Sequence, residues 1–565
     1  MKLSDDDLRA LLIQSGKVTD AQLQSTAEFA AKSEIPFQQA LIEQEVITDE
    51  DLGPIIAQYY QAPYISLSSL EIPDEVLRII PVEVAKKQGA VIFFRDATTI
   101  KLALSDPTNV EIQQMIAKKT GTTILPHFAT DKDIENTLLA YTQDLQKTFE
   151  KLLKEGIGTA SEVEENDDPP IEKIVDLLIL SAYQEKTSDI HIEPQDKNSL
   201  IRFRIDGILH DVLSIPKVLH DRVVTRIKIL SNLRTDEHLS SQDGKIRTRV
   251  SDSFLDLRVS ILPISNGEKV VMRLLTANSR TYTLTDLGMS PTDLAKITRA
   301  FSKSFGMILS TGPTGAGKTT SIYAIISILN TREKNITTIE DPVEYRIKGA
   351  NQVQVNTKTN LTFANGLRSI LRQDPNYIFV GEIRDSETAS IAVNAALTGH
   401  LVLSTLHTND AASAAPRLID MKVEPFLVAS TLNVIIAQRL VRKICDHCRI
   451  SYTMPVEELK KNLSLESINK HYIPQGKTQE VRLYKGQGCK TCHFTGYQGR
   501  LGLFEVLEMT KELRQLVSEK KDADVINRAA VEGGMTTMLD DGLEKVTKGM
   551  TTIEEVLRVT KVETQ

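Results

Sequence analysis

Near the middle of the chain lies the run Gly312-Pro313-Thr314-Gly315-Ala316-Gly317-Lys318-Thr319-Thr320. It follows the apolar residues 307–309, precedes a predicted helix and fits the spacing G-x-x-x-x-G-K-[ST]. Glycines at these positions let backbone N–H groups surround an anion at the start of a helix. In this pattern the lysine contacts the β- and γ-phosphates, and the hydroxyl that follows it binds Mg²⁺. The run predicts a triphosphate site, and the alternative is a glycine-rich turn that matches by chance.

The composition is that of a large globular protein. The chain has 565 residues, of which 41% are apolar and 25% charged, and this length predicts several domains. Its 67 basic and 75 acidic residues give a net charge of −8, so no overall basic excess favours non-specific binding to nucleic acid. No stretch approaches the roughly 20 apolar residues of a membrane span, and the start is acidic, unlike a signal peptide. We expect a cytoplasmic protein.

The beginning of the chain contains an internal repeat with a period of 29 residues, in which Leu12 recurs as Leu41 and Thr19 as Thr48. Thr19 and Gln22 have the spacing of a capping box, in which side chains at the start of a helix bond to free backbone N–H groups. Each repeat is therefore predicted to consist of two helices joined by a tight turn.

The remaining segments predict several α/β units. Short β-rich segments alternate with helical stretches from residue 64 to 141, and a second α/β domain is predicted between residues 170 and about 285. From residue 306 to 440 strands alternate with longer helices, which is typical of a mostly parallel, doubly wound sheet. An acidic, polar segment predicts a flexible linker. The linker is predicted at residues 154–169. The predicted units are residues 1–62, 63–153, 170–288, 289–440, 441–508 and 509–565.

Two predicted strands of the doubly wound sheet end in an acid. Glu382 follows the apolar strand 377–380, at the carboxyl end, where sheets of this class hold their ligands. We expect Glu382 to lie close to the metal ion, and the alternative is an acid that caps the next helix. Glu340 follows the strand 336–339 and is the candidate general base that orients the attacking water. The alternative for Glu340 is an ordinary acid in the turn after a strand.

Two histidines, His400 and His407, lie on either side of the apolar strand 401–404. They are candidate sensors of the γ-phosphate. The alternative is a structural role, since single histidines are commonly satisfied by neighbouring groups.

Two pairs of arginines are candidate arginine fingers, which stabilise charge on a transferring phosphoryl group. Arg368 and Arg372 are four residues apart on a predicted helix, and Arg202 and Arg204 are two apart on one face of a predicted strand. Ordinary surface salt bridges are the alternative for both pairs.

The four cysteines form two C-x-x-C pairs separated by 40 residues, namely Cys445, Cys448, Cys489 and Cys492. Two such pairs close a tetrahedral four-thiolate site, so the pattern predicts a structural zinc ion. The alternatives are a redox dithiol and a site in which His447 or His493 replaces one thiolate.

Taken together, these motifs resemble the type II/IV secretion ATPase superfamily, most closely the motors that extend type IV pili and next the motors of type II secretion. The motifs that carry the resemblance are the phosphate-binding run and residues 188–194, 202–207, 338–345, 371–375, 381–385, 398–400 and 404–409. The resemblance implies a multidomain α/β fold. Its parts would be a RecA-like P-loop ATPase core, a preceding PAS-like α/β domain, a helical and α/β N-terminal region and a tetracysteine zinc subdomain.

The resemblance also implies an activity and a set of roles. The chain would form a homohexamer that hydrolyses ATP with Mg²⁺ to power pilin polymerisation from the inner membrane. The acidic box would supply Glu340 as the catalytic glutamate, Glu382 would be the Walker B acid, and His400 and His407 would form the histidine box. The domain with Arg202 and Arg204 would pack against the P-loop domain of a neighbouring copy, and the four cysteines would hold zinc.

Partners follow from the same resemblance. They would be an inner-membrane platform protein and, through the N-terminal region, other components on the cytoplasmic face, so the chain would be peripheral at the inner membrane without spanning it. No nucleic acid is expected. The alternatives are a type II secretion ATPase, a P-loop nucleic-acid translocase and a nucleotide-gated scaffold without hydrolysis.

The N-terminal repeat departs from the family pattern. In some members this module binds cyclic di-GMP through paired Arg-Leu-Gly starts and a glycine at each turn. Here the starts read Asp7-Leu8-Arg9 and Pro36-Phe37-Gln38, and Glu45 replaces the second turn glycine. Because the arginines are missing and an acid lies near the expected phosphates, we expect cyclic di-GMP binding to be weak or lost. Docking to a partner protein is the preferred role for this part.

Overall fold

The computed structural model describes residues 3–33, 37–44, 46–67, 70, 72–77, 79–139, 149–150, 152, 170–250, 253–276, 282–472 and 480–560. The predicted linker, residues 154–169, lies outside the described residues.

The N-terminal repeat forms four helices, as predicted: α1 Asp5–Ser15, α2 Asp20–Ser33, α3 Phe37–Glu43 and α4 Asp49–Tyr59. Thr19 and Gln22 form the predicted capping box, with the Thr19 N–H donating to the Gln22 side chain at 3.0 Å. Leu12 and Leu41, the paired apolar positions, are both fully buried in the core between the repeats.

The next unit is a small α/β domain with a three-stranded sheet in the order β1-β2-β3. Its elements are α5 Asp74–Leu77, α6 Val82–Gln88, β1 Ala90–Arg95, β2 Thr99–Leu104, α7 Val110–Thr120, β3 Thr123–Phe128 and α8 Asp131–Leu139. β1 and β2 are antiparallel, whereas β2 and β3 are parallel because α7 connects them.

The third unit contains a six-stranded antiparallel sheet, named here the antiparallel sheet, in the order β6-β5-β4-β9-β8-β7. Its elements are α9 Ile171–Gln184, β4 Asp189–Pro194, β5 Asn198–Ile205, β6 Ile208–Pro216, α10 Lys217–Leu230, β7 Gln242–Val250, β8 Ser253–Ile264 and β9 Gly267–Thr276. α9 and α10 cover one face, and Phe149, from the predicted preceding unit, is buried in the same core. The other face carries charged residues.

A seven-stranded sheet, named here the large sheet, forms the fourth unit in the order β12-β11-β13-β14-β10-β15-β18. Its strands are parallel except for β18, which is antiparallel to β15. The elements are α11 Pro291–Phe301, β10 Gly306–Thr311, α12 Lys318–Leu329, β11 Ile336–Glu340, β12 Ala350–Gln354, α13 Phe363–Ile370, β13 Tyr377–Val380, α14 Ser386–Leu397, β14 Leu401–Leu406, α15 Ala414–Asp420, α16 Pro425–Thr431, β15 Leu432–Ile444 and β18 Tyr497–Glu508.

Helices cover both faces of the large sheet. α11 and α12 pack on one face, and α13 to α16 pack on the other. Burial on both faces explains why β10 and β14 are apolar or uncharged along their whole length, as expected for central parallel strands. The predicted doubly wound arrangement is therefore what the structure shows.

The cysteines lie in an excursion between β15 and β18. This excursion contains β16 Arg449–Pro455, α17 Val456–Leu459, α18 Leu465–His471 and β17 Glu480–Gly486, and the chain ends with α19 Lys511–Ser518, α20 Ala523–Glu532, α21 Met538–Thr547 and α22 Ile553–Thr560. The predicted boundary at residue 441 falls inside β15, because β15 and β18 continue the large sheet as a long antiparallel pair. The boundary between the sheet and the excursion lies nearer Cys445.

Within the described residues, no helix combines the length and the apolar character that a membrane crossing requires.

Candidate functional site

The phosphate loop, defined here as residues 312–317, connects β10 to α12 as the sequence predicts. Gly317 caps α12 with φ +86°, a conformation that favours glycine, and α12 begins at Lys318. The Lys318 ammonium donates to the carbonyl oxygens of Gly312 at 2.7 Å and Pro313 at 3.0 Å. Burial lowers the pKa of Lys318, whereas the charge of Glu382 raises it. The loop is thus folded around its own lysine next to an acid.

Gln438 of β15 supports the phosphate loop, which the sequence did not indicate. Its side-chain amide donates to the Ala316 carbonyl at 2.7 Å. Gly312 has φ +143°, and a Cβ atom there would lie 2.5 Å from the Gln438 carbonyl oxygen. This close approach, with the positive φ, requires glycine at the start of the loop.

Glu382 follows β13 and lies at the same carboxyl edge of the large sheet as the phosphate loop. Its carboxylate contacts the Arg384 guanidinium at 2.6 Å and the His407 ring at 3.2 Å. The Glu382 side chain is 13% exposed. Asp385, and not Glu382, caps the following helix, by accepting from the Thr388 N–H at 2.8 Å. Glu382 is therefore free of the capping role that was its alternative, and its position suits a metal ligand near Lys318.

Glu340 is the last residue of β11 and is only 2% exposed. Its carboxyl accepts hydrogen bonds from the hydroxyls of Tyr323 and Thr338 and, at 3.2 Å, from the side-chain amide of Gln352. Burial raises the pKa of Glu340, although these donors act in the opposite direction. Tyr323 and Gln352 were not found from the sequence.

The structure places the two candidate histidines at opposite edges of the large sheet. His407 follows β14 and reaches Glu382, near the phosphate loop. His400 precedes β14, and its ring lies 3.1 Å from the Ala395 carbonyl oxygen. A six-residue strand is about 20 Å long. Within one chain His400 is therefore remote from the phosphate loop, and the structural alternative fits its contacts.

Arg368 and Arg372 are both exposed near α13. Arg368 forms an ion pair with Glu387 at 2.6 Å. Arg372 donates to the Arg368 carbonyl at 3.1 Å and to Ser369 at 3.2 Å. The predicted shared helix is wrong for Arg372, because α13 ends at Ile370.

Arg202 and Arg204 lie on the charged face of the antiparallel sheet, as their spacing predicts. Arg202 forms an ion pair with Glu193 at 2.6 Å, and Glu193 also accepts from Lys269 at 2.8 Å. Arg204 donates to the Gly207 carbonyl at 3.0 Å. Both arginines are thus held by partners within their own domain.

The same face carries a row of cations that the sequence analysis missed. The row runs across four neighbouring strands. Asp189 on β4 pairs with Arg204 on β5 and with Arg273 on β9, and Arg273 in turn pairs with Arg258 on β8. The hydrogen bond to Asp189 raises the pKa of Arg273, and the charge of Glu344 adds to this effect. Glu344 lies in the segment after β11, so Arg273 is within electrostatic range of the domain that contains the phosphate loop. Only the strand register reveals the row, since its members are far apart in sequence.

The four cysteine sulfur atoms lie within 4.8 Å of one another. The distances are 3.8 Å between Cys445 and Cys489, 3.8 Å between Cys448 and Cys492, and 3.7 Å between Cys489 and Cys492. Four sulfur atoms about 2.3 Å from a central zinc ion form a tetrahedron with edges of about 3.8 Å. The donor set and its spacing therefore fit zinc. A hydrogen bond with Cys448 and burial raise the pKa of the Cys445 thiol.

The structure gives no support to a histidine ligand at this site. Neither His447 nor His493 belongs to the group of potential ligand atoms within 4.8 Å. The His493 ring instead lies 3.1 Å from Glu185 of the preceding domain, and this hydrogen bond raises the pKa of His493.

With this geometry established, comparison with known proteins gives the family. Residues 164–558 match the family model described as "Type II/IV secretion system protein". The chain belongs to this family. The predicted superfamily is therefore confirmed.

Several bacterial relatives match most of the chain. The "Type IV pilus assembly ATPase PilB" of Myxococcus xanthus (strain DK1622) is 36% identical over 562 residues, covering 97% of this chain and 98% of the relative. The "Type II secretion system protein E" of Pectobacterium carotovorum subsp. carotovorum is 40% identical over 506 residues, covering 86% of this chain and 98% of the relative. The predicted enzyme class, an ATPase, is confirmed at the level of the family.

Among solved structures, the ATPase DotB of Legionella pneumophila has a similar fold, with a TM-score of 0.52 and 20% identity, covering 71% of this chain and 99% of that chain. This likeness supports the predicted fold of the core. Residues 60–147 match the model of the MshEN domain, which leaves the helical repeat before it outside the match. Pro36 and Glu45, two of the residues behind the expectation about cyclic di-GMP, lie outside the described residues, and that expectation remains a prediction.

Proposed function

We propose that this chain is a homohexameric motor that hydrolyses ATP with Mg²⁺ to power type IV pilus assembly, the polymerisation of pilin from the inner membrane. The observation that carries the proposal is the meeting of the phosphate loop, Glu382 and His407 at one edge of the large sheet. Similarity to a pilus assembly ATPase along 97% of the chain supports the choice of cargo.

The residues at this edge divide the chemistry of hydrolysis. Lys318 and the N–H groups of the phosphate loop bind the β- and γ-phosphates. Glu382 and the Thr319 hydroxyl would hold Mg²⁺, which would neutralise charge on the phosphates. Glu340 accepts a proton from the attacking water. His407 keeps the Glu382 carboxylate oriented through their contact at 3.2 Å.

The arginines provide positive charge to the phosphates from elements outside the large sheet. The row formed by Arg204, Arg273 and Arg258 meets the phosphates when the two domains close. Arg368 and Arg372 are exposed, which is the condition for an arginine to reach the site of another copy. Release of inorganic phosphate after hydrolysis removes charge that these arginines bind, so the domains rotate relative to each other.

The other parts of the chain connect the motor to the machine. The four cysteines hold a structural zinc ion, whose site has no open position for catalysis. The N-terminal region docks to components on the cytoplasmic face, and the whole chain is peripheral at the inner membrane through a platform protein. No nucleic acid takes part.

The biochemical test is phosphate release by the purified full chain at saturating ATP and Mg²⁺. We expect turnover by the wild type, none by Lys318→Ala, and no stimulation by DNA. Wild-type turnover by Lys318→Ala would contradict the site, and stimulation by DNA would favour a translocase.

Type II secretion is the second candidate, because a type II secretion protein E is 40% identical over 86% of this chain. A deletion strain separates the two cargoes. Loss of surface pili with normal enzyme secretion supports pilus assembly, whereas loss of secreted enzymes with normal pili supports type II secretion.

A further inference from the structure

The carboxyl of Glu340 is held by groups from three different elements. The Tyr323 hydroxyl on α12 donates to Oε2, the Thr338 hydroxyl on β11 donates to Oε1 at 2.5 Å, and the Gln352 amide on β12 donates to Oε1 at 3.2 Å. A carboxylate has about four acceptor positions, so this arrangement leaves one for a water molecule, on Oε2. Tyr323 donates to this same oxygen, so its hydroxyl has the greatest influence on the direction from which a water molecule can donate to Oε2.

Tyr323 connects Glu340 to the phosphate loop through a single helix. α12 begins at Lys318, and Tyr323 lies five residues further along the same helix. Tyr323 is 1% exposed. Its ring packs edge-on against the rings of Tyr345 and Phe379, with centroid distances of 4.4 Å and 6.0 Å. Close packing of these rings fixes the direction of the Tyr323 hydroxyl. A displacement of the helix is thus transmitted to the carboxyl.

We propose that Tyr323 is a positioning residue for ATP hydrolysis: its hydroxyl holds the Glu340 carboxylate at a fixed place relative to the helix that begins at Lys318. This inference rests on the proposed function, in which Glu340 accepts the proton of the attacking water. Tyr323 keeps its own proton throughout and touches neither the nucleotide nor the water. Its contribution is to set the distance between the base and the bound γ-phosphate.

The direction of the expected pH effect follows from the contacts. Burial raises the pKa of Glu340, and the hydrogen bonds from Thr338 and Tyr323 lower it because they stabilise the charged form. Loss of the Tyr323 hydroxyl therefore moves this pKa upward. Hydrolysis needs the ionised form, so the acidic limb of the pH profile moves upward too.

The test is the pH profile of kcat for the full-length Tyr323→Phe variant, which keeps the buried ring and loses only the hydroxyl. We expect the acidic limb to move up by about one pH unit, the size of one hydrogen bond to a charged group, with KM for ATP nearly unchanged. Thr338→Val removes the second hydroxyl donor and is expected to move the limb in the same direction.

Tyr472→Phe is the matched control, because the buried Tyr472 hydroxyl has no hydrogen-bond partner among the described residues. Its acidic limb is expected to coincide with that of the wild type. The inference is overturned if the limb of Tyr323→Phe also coincides with that of the wild type, or if kcat falls equally at every pH. An inactive wild type, or a fully active Glu340→Gln variant, would instead contradict the proposed function.

Discussion

The carboxyl ends of β11 and β13 each present a glutamate, yet their surroundings differ. Glu340 is 2% exposed, and its hydrogen-bond donors are the neutral groups of Tyr323, Thr338 and Gln352. The Glu382 side chain is 13% exposed and contacts Arg384 and His407, which are cationic or can become so. Neighbouring positions at one sheet edge thus give one acid a buried, neutral setting and the other a more open, charged one.

The difference supports the separate roles proposed for these two acids, which look alike in the sequence. A metal ligand needs a carboxylate with access to the site, and Glu382, at the edge that holds the phosphate loop, is more exposed than Glu340. A general base works best when its pKa is raised toward the working pH, and burial has this effect on Glu340. The comparison also shows why strand-end position alone does not fix a role: the elements that cover each acid do.

The largest expected effect belongs to Glu340→Gln. An amide takes up no proton and accepts hydrogen bonds on one oxygen only, so kcat is expected to fall by about 10²- to 10⁴-fold while ATP still binds. Phosphate release and binding of a fluorescent ATP analogue measure the two properties separately. A kcat within a few-fold of that of the wild type would contradict the role of Glu340 as the general base, and with it the contrast to Glu382.

A smaller effect is expected for Glu382→Gln. Loss of the charged ligand weakens Mg²⁺ binding, so the Mg²⁺ concentration for half-maximal turnover is expected to rise by about 10-fold or more. Titration of Mg²⁺ at constant ATP gives this value. If the Mg²⁺ dependence is unchanged and only kcat falls, then Glu382 acts as a base and the two roles are exchanged.

The two histidines give a finer comparison. His407→Ala removes the partner of Glu382 and is expected to raise the same Mg²⁺ midpoint by about 2- to 10-fold, the size of one hydrogen bond. His400→Ala is expected to have the smaller effect, because His400 lies at the other edge of the sheet. An equal shift for both variants would show that position within one chain does not decide their roles.

The smallest effect on turnover is expected from removal of zinc. Cys445 lies eight residues beyond the partner of Thr311 on β15, or about 25 Å along the strand. A zinc chelator is therefore expected to change kcat less than any substitution above. It should lower the melting temperature by about 5 °C, which corresponds to roughly 2 kcal/mol for a domain of about 200 residues. An unchanged melting temperature would contradict a structural metal.

Local sequence signals predicted most of the fold and the centre of the site. The phosphate loop, the strand-end acids and the cysteine pairs each depend on spacing within a few residues, and the structure places them as expected. The placement of the two histidines could also be predicted from the sequence, since His400 and His407 lie at opposite ends of one strand. A shared role for the two histidines would need both ends of this strand to reach one nucleotide, which the length of the strand prevents within one chain.

Contacts between distant segments were not predictable. The donors to Glu340 come from helix α12 and strand β12, and no periodicity connects Tyr323 or Gln352 with that acid. Gln438 reaches the phosphate loop from a strand more than one hundred residues away. The cation row depends on the order and register of four strands, so Arg258 and Arg273 gave no signal before the sheet was known.

Both acids have these roles only if a nucleotide binds at the carboxyl edge of the large sheet. Isothermal titration calorimetry with the full chain, Mg²⁺ and a slowly hydrolysed ATP analogue tests this point most directly, with Lys318→Ala as the matched variant. We predict saturable uptake by the wild type and binding at least about 10-fold weaker by Lys318→Ala, because the variant lacks the ammonium group that contacts the phosphates. No uptake by the wild type, or equal uptake by both proteins, would contradict the account.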